Sequence, residues 1–173
     1  MSVSLARFLP AALAALLFVG CGAGGGTSGT QFPSEDPGVD GEMTQDELAY
    51  ALDVLDRTNA ERAGANLDAL AWHAEAAAVA QAHNRDMRNR GFFAHRNPDG
   101  QEPDDRLTAA GIGWTAWGEN IARAQETPAE VMRSWMNSTD HRDNILSTWF
   151  SHVGIGCLLL TNGPYWTQAF LHP

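Results

Sequence analysis

The sequence has little of what several large protein classes require. It contains two cysteines, Cys21 and Cys157, among 173 residues, so the fold is not built around disulfide bonds. After residue 19, no apolar run is long enough to span a bilayer. The chain also lacks a His-Glu-x-x-His helix, a phosphate-binding loop, a nucleophile elbow and a Rossmann glycine pattern. These absences argue against the enzyme classes that such motifs define.

Positive charge is scarce as well. Eleven Lys and Arg stand against 21 Asp and Glu, which gives a formal net charge of −10. An acidic domain has no electrostatic attraction for nucleic acid, so we expect no nucleic-acid partner. The length suits one ordinary domain, and the 44% hydrophobic content is normal for a globular protein.

The first 21 residues have the architecture of an export signal. Arg7 precedes an apolar run over residues 8–19, and Gly20-Cys21 follows. The ending Leu17-Phe18-Val19-Gly20-Cys21 resembles a bacterial lipobox, although Phe18 stands where leucine is usual. We therefore predict lipid attachment at Cys21 and an extracytoplasmic location, as a secreted protein or membrane-anchored lipoprotein of a bacterial envelope. The alternative is an ordinary cleaved signal.

The rest of the chain divides into a linker and one domain. Residues 22–43 are rich in Gly, Ser and Pro and predict a flexible linker, and residues 44–173 form the domain. If Cys21 carries lipid, Cys157 has no partner within the chain and is predicted to be a buried apolar residue. A Cys21–Cys157 disulfide is the alternative.

Periodicity and turn signals predict an α+β domain. A capping box at Thr44 opens a first helix whose apolar face is predicted to carry Leu48, Leu52 and Leu55. Asn162-Gly163 indicates a β-hairpin. The other predicted helices span residues 74–89, 104–110, 128–135 and 140–146, and the predicted strands span residues 117–121, 152–160 and 165–170.

Short polar motifs inside apolar segments carry a family resemblance. They occupy residues 92–95, 97–100, 118–121, 135–138 and 141–146. In this order they resemble the CAP superfamily (cysteine-rich secretory proteins, antigen 5 and plant pathogenesis-related proteins), in its bacterial SCP-like branch. The resemblance covers residues 48–170. It implies an α-β-α sandwich in which a small three-stranded antiparallel sheet lies between helical layers.

The resemblance also implies a central cleft with two histidines and two acidic residues. Three of these positions fall on His95, Glu119 and His141. The fourth position falls on Ser138, where a neutral hydroxyl replaces the carboxylate. Spacing alone leaves open whether Asp140 or Asp143 supplies the missing acid.

Zinc or magnesium is the cofactor that the resemblance implies for this cleft, with His95, Glu119 and His141 as candidate ligands. A hydrogen-bonded polar cluster without metal is the favoured alternative, and no cofactor is assigned. Ser138 and His141 have the spacing of a nucleophile and base on one helical face, but we favour Ser138 as the cap of the short helix.

The predicted function is a non-enzymatic binding module of the cell envelope, with a lipid, a peptide or a cell-wall component as its ligand. The alternative is a divalent-metal-dependent hydrolase that uses the same cleft, with Glu119 as the base. Trp114, Trp117 and Trp149 are candidates for lining a groove. We expect Arg106 to tie a loop to a carboxylate. Oligomeric state is not predicted.

Overall fold

The computed structural model describes residues 42–173. The predicted export signal, Cys21 and nearly all of the predicted linker lie outside these residues. Five helices and four strands follow in chain order: α1 Gln45–Gly64, β1 Ala71–Trp72, α2 Ala74–Arg90, α3 Pro103–Ala109, β2 Ala116–Arg123, α4 Pro128–Met136, α5 Thr139–Ile145, β3 His152–Leu158 and β4 Tyr165–His172.

The strands form a single sheet in the order β1-β3-β4-β2. Strand β4 pairs antiparallel with both β2 and β3, which confirms the predicted three antiparallel strands. The sheet also has a fourth strand that was not predicted, since β1 pairs parallel with β3 over two residues. A strand of two residues is too short to show an alternating pattern in the sequence.

The sheet separates two helical layers, as the resemblance implied. Alternate residues of β3 and β4, among them Val153, Ile155 and Phe170, pack with α1, α4 and α5. On the opposite face, Ala169 and Leu171 pack with α2 and α3. Each face of the sheet thus carries its own apolar core.

Helix α2 lies unusually close to β3. The first half of its buried side consists of the small residues Ala76, Ala77 and Ala80. Opposite them stand Gly154 and Gly156, and a Cβ added at Gly154 would overlap the main chain of Ala76 and Ala77. The absence of side chains at both glycines is what allows this approach.

The predicted apolar face of α1 is correct at Leu55, which packs partly buried against the core, and wrong at Leu48 and Leu52. Leu48 and Leu52 are 39% and 42% exposed, whereas Ala51 and Val54 are fully buried. Polar anchors set the rotation of the helix. In particular, the buried Arg62 donates hydrogen bonds to the carbonyls of residues 145 and 147.

The hairpin between β3 and β4 is longer than a two-residue turn. Strand β3 ends at Leu158 and β4 begins at Tyr165, so residues 159–164 connect them. Gly163 adopts the left-handed region with φ of 103°, which explains the glycine at this position. Pro164 follows directly and has no N–H with which to extend the ladder.

Candidate functional site

Glu119 is the centre of the site and lies on β2. Its side chain is only 4% exposed, and both carboxylate oxygens are occupied. His95 Nδ1 donates to Oε1 at 2.8 Å, and Arg106 Nη2 donates to Oε2 at 2.6 Å. Because an ionised carboxylate only accepts, its partner nitrogen on His95 carries the proton.

Arg106, on α3, fixes the loop that carries His95. Its Nη1 donates to the main-chain carbonyls of His95 at 2.8 Å and Gln101 at 3.2 Å. One guanidinium therefore positions Glu119 and the backbone of its histidine partner together. This is the tying role that the sequence analysis expected for Arg106.

Ser138 and His141 form a second pair. A hydrogen bond of 2.8 Å joins Ser138 Oγ to His141 Nδ1. Ser138 does occupy the N-cap position of α5, but its side chain makes no capping hydrogen bond. Ser138 therefore occupies the predicted capping position, but its hydroxyl bonds to the His141 imidazole instead of to the helix backbone.

The charge state of His141 follows from its surroundings. Burial lowers the pKa of His141, and the charge on His95 lowers it further, while the Asp140 carboxylate acts in the opposite direction. At neutral pH the imidazole is therefore uncharged.

A layer of buried amides connects the two pairs. Asn120 Nδ2 donates to the carbonyl of His141 at 3.0 Å. Asn144 Nδ2 donates to the carbonyl of Glu119 at 3.2 Å and to Asn120 Oδ1 at 2.9 Å. Asn120 also donates to Gln168, which in turn donates to Thr58.

The sequence analysis missed the role of these amides. Asn120 and Gln168 are fully buried within strands, which is unusual for amide side chains. A buried amide in a strand must find polar partners, so their position in β-forming segments was the available signal.

Neither nearby aspartate replaces the missing acid. Asp140 and Asp143 are both exposed. Among the residues that the structure describes, neither side chain takes part in a hydrogen bond or an ion pair. The fourth position of the cleft is filled by the Ser138 hydroxyl alone.

An open groove of about 390 Å³ borders Glu119. We call it the Trp117 groove, and its lining residues are His95, Glu102, Pro103, Trp117, Gly118, Glu119 and Asn144. Trp117 belongs to β2 and is 37% exposed. Ser138 and His141 do not line this groove. Trp149 is 76% exposed and lies outside it.

The donor set gives little support to a metal ion. Across residues 42–173, no three His, Cys, Asp or Glu side chains form a group that could hold one. The Glu119 carboxylate contacts the Arg106 guanidinium, whose positive charge opposes a cation at the same oxygens. The zinc or magnesium site on His95, Glu119 and His141 therefore stays a prediction.

Comparison with known proteins identifies the class. The sequence pattern of the Cysteine-rich secretory protein family (CAP) matches residues 55–170. YkwD of Bacillus subtilis (strain 168) is 40% identical over 123 residues, which are 71% of this chain and 47% of that protein. The membrane protein YlbC of the same organism is 31% identical over 118 residues, or 68% of this chain and 33% of that one. The chain thus belongs to the CAP family and spans less than half the length of these relatives.

Solved structures agree on the fold. An extracellular protein with an SCP domain from Bacillus anthracis superposes with a TM-score of 0.69 at 32% identity, covering 78% of this chain and 45% of that one. An outer surface protein of Borrelia burgdorferi gives a TM-score of 0.64 at 19% identity, covering 68% of this chain and 88% of that one. In the part of the chain described by the structure, no helix has the length and apolarity needed to cross a membrane.

Proposed function

We propose that this CAP domain acts outside the cytoplasm as a non-enzymatic binding module of the bacterial envelope. Its ligand is a lipid, a peptide or a cell-wall component, held in the cleft formed by His95, Glu119, Ser138 and His141 together with the Trp117 groove. The domain positions this ligand and leaves its covalent bonds intact.

The hydrogen bonds and burial of the Glu119 carboxylate are the main support for this proposal. Both oxygens of its carboxylate already accept hydrogen bonds, from His95 and from Arg106. Each oxygen keeps a second lone pair, but the Glu119 side chain is only 4% exposed, which leaves little access for the attacking water that a hydrolase base must deprotonate. The same contacts hold His95 firmly at the edge of the groove, as a binding site requires.

The hydrolase alternative has less support. A nucleophile–base pair needs a third group that orients the base and a site that stabilises an oxyanion. Ser138 and His141 are hydrogen-bonded to each other, and Asn120 holds the main-chain carbonyl of His141 rather than its ring. Among residues 42–173, no carboxylate contacts either side chain.

Export and lipid anchoring form part of the same proposal. The Bacillus anthracis protein with the similar domain is extracellular, which supports the same location here. The Cys157 thiol is fully buried in strand β3, which disfavours its pairing with Cys21 and leaves Cys21 for acylation. Mass spectrometry of the mature protein should find a diacylglyceryl group on Cys21. An unmodified N-terminus beyond residue 21 would instead indicate a released protein.

Co-sedimentation tests the binding function. The purified protein is mixed with insoluble cell-wall material, with phospholipid vesicles or with envelope peptides on beads. We expect retention by one of the three and its loss in His95→Ala, because His95 lies at the groove edge. His172→Ala changes an exposed histidine outside the groove and should bind normally. Equal retention of both variants would contradict binding at this site.

Metal analysis separates the two functions. Zinc is titrated into the protein and into His95→Ala and His141→Ala. The proposal predicts no stoichiometric zinc and lower melting temperatures for both variants. Stoichiometric zinc that both variants lose, together with release of product from the bound ligand, would favour the hydrolase.

A further inference from the structure

A second groove is lined by Trp114, whose indole contacts that of Trp117, and has no part in the predicted cleft. It measures about 590 Å³, and we call it the Trp114 groove. Its lining includes His73, Glu75, Trp114, Thr115, Pro173 and residues 110–113. Both grooves fall within the range of roughly 300–1,000 Å³ that is typical of small-molecule sites.

A pair of tryptophans joins the two grooves. The ring centroids of Trp114 and Trp117 lie 6.4 Å apart with an angle of 78° between their planes, so the two indoles form a corner. Trp114 is partly buried against the core between α2, α3 and the sheet, and its Nε1 donates to Thr108 Oγ1 at 3.2 Å. The corner is therefore anchored on one side, while Trp117 is 37% exposed on the other.

Polar side chains surround this aromatic corner on both sides. His95 and Asn144 line the Trp117 groove, and Thr115 lines the Trp114 groove. The carboxylates of Glu102 and Glu119 also line the Trp117 groove, and that of Glu75 lines the Trp114 groove. Hydroxyl groups satisfy such donors and acceptors, while an anionic ligand would meet carboxylates in both grooves of a chain with a net charge of −10.

The other ligand classes fit the surface less well. A lipid tail requires an enclosed apolar cavity, and these grooves are open and partly polar. An extended peptide would pair with the free edge of β2. At that edge, the carbonyls of Glu119 and Ile121 already accept hydrogen bonds from Asn144 and Trp135.

We propose that the Trp117 groove and the Trp114 groove form one continuous site for an uncharged oligosaccharide, whose sugar rings lie against the Trp114–Trp117 corner. The proposal rests on the proposed envelope-binding function and names its ligand class. A sugar ring offers an apolar C–H face to an indole and hydroxyls to the polar rim, so it matches both parts of the lining.

The length dependence of binding tests this proposal. β-1,4-Linked N-acetylglucosamine oligomers of two to six sugars are titrated calorimetrically into the purified protein. A site that spans two grooves should bind the hexamer at least about tenfold more tightly than the dimer. Trp117→Ala should lose binding of every oligomer, whereas Trp114→Ala should remove the advantage of the hexamer and leave the dimer affinity within about twofold.

Trp149→Ala is the matched control, because it removes an exposed tryptophan outside both grooves. It should bind like the unmodified chain, and circular dichroism checks the fold of all three variants. Equal affinity for dimer and hexamer, or an unchanged Trp114→Ala, would overturn the two-groove site. If none of the sugars binds, the oligosaccharide proposal is wrong. If the unmodified protein nevertheless retains vesicles or peptides and His95→Ala does not, the envelope-binding function remains supported.

Discussion

At the scale of single residues, the ion pair between Glu119 and Arg106 dominates the site. The Glu119 side chain is 4% exposed and that of Arg106 10%, so each charge depends on the other. Removing one partner leaves a buried charge without compensation, which costs about 3–5 kcal/mol. We expect Arg106→Ala to lower the free energy of unfolding by about this amount, measured by urea denaturation.

Two further variants make this prediction specific. Arg90 forms an ion pair with Asp99 at the surface, and Arg90→Ala should leave the unfolding free energy nearly unchanged. Combining Arg106→Ala with Glu119→Gln removes both charges and should recover part of the loss. If the double variant loses as much unfolding free energy as the two single variants do in sum, the two side chains do not interact as described.

Two histidines give the domain a pH dependence below neutrality. Burial lowers the pKa of His83 and also that of His141, in both cases below the ordinary value of 6.5. Below pH 6.5 the unfolded chain therefore binds more protons than the folded one, and stability decreases as the pH falls from 6.5 through the folded-state values. The free energy of unfolding should thus be lower at pH 5 than at pH 7.5.

Nuclear magnetic resonance can assign this effect to the two rings. Both imidazoles should titrate below 6.5 in the folded protein. A pKa at or above 6.5 for His83 and His141 would contradict the account.

The sequence predicts a site residue well when a family motif gives its position, and poorly when its side-chain contacts depend on distant residues. The family resemblance implied that His95 and Glu119 share a cleft, and a hydrogen bond of 2.8 Å joins them in the structure. The side chain of Ser138 was not predictable in this way. Its hydroxyl can reach the α5 backbone or His141, and the choice depends on where the main chain of His141 lies, which the distant Asn120 helps to fix.

At the scale of elements, the packing of α2 on β3 depends on Gly154. A Cβ at this position would overlap the main chain of Ala76 and Ala77, which cannot move without displacing the helix. Gly154→Ala should therefore destabilise the domain by about 3 kcal/mol or more, the upper range for overpacking a core. Thermal unfolding followed by circular dichroism measures the loss.

Gly64→Ala is the matched control for this substitution. Gly64 ends α1, and a Cβ there would meet no atom within 4 Å. Alanine also restricts the unfolded chain, so this variant should be as stable as the unmodified protein or slightly more stable. Similar losses at Gly64 and Gly154 would mean that close packing is not the cause.

The elements themselves were predictable where a local signal exists. The capping box at Thr44 marks the start of α1, and the helix predicted from residue 128 begins at Pro128 as α4. The buried face of α1 was not predictable from its leucines, because Glu47 and Arg62 set its rotation through partners far along the chain. Tertiary hydrogen bonds here override the apolar pattern.

At the scale of the whole molecule, the site lies where the two helical layers meet the edge of the sheet. Strand β2 is an edge strand, and it places Glu119 and Trp117 toward α3 while Asn120 contacts α5. The two apolar cores thus hold a polar site between them. This arrangement predicts a rigid groove that needs no large rearrangement to bind its ligand.

Nuclear magnetic resonance of the tryptophan side chains tests ligand binding at this groove most directly. The chain has six tryptophans, and each gives one indole N–H signal in the ¹⁵N-labelled protein. On addition of solubilised cell-wall fragments, the signal of Trp117 should shift in a saturable manner. Those of the buried Trp135 and Trp166 and of the exposed Trp149 should stay in place. A saturable shift of Trp149 with Trp117 unmoved would contradict binding at the proposed site.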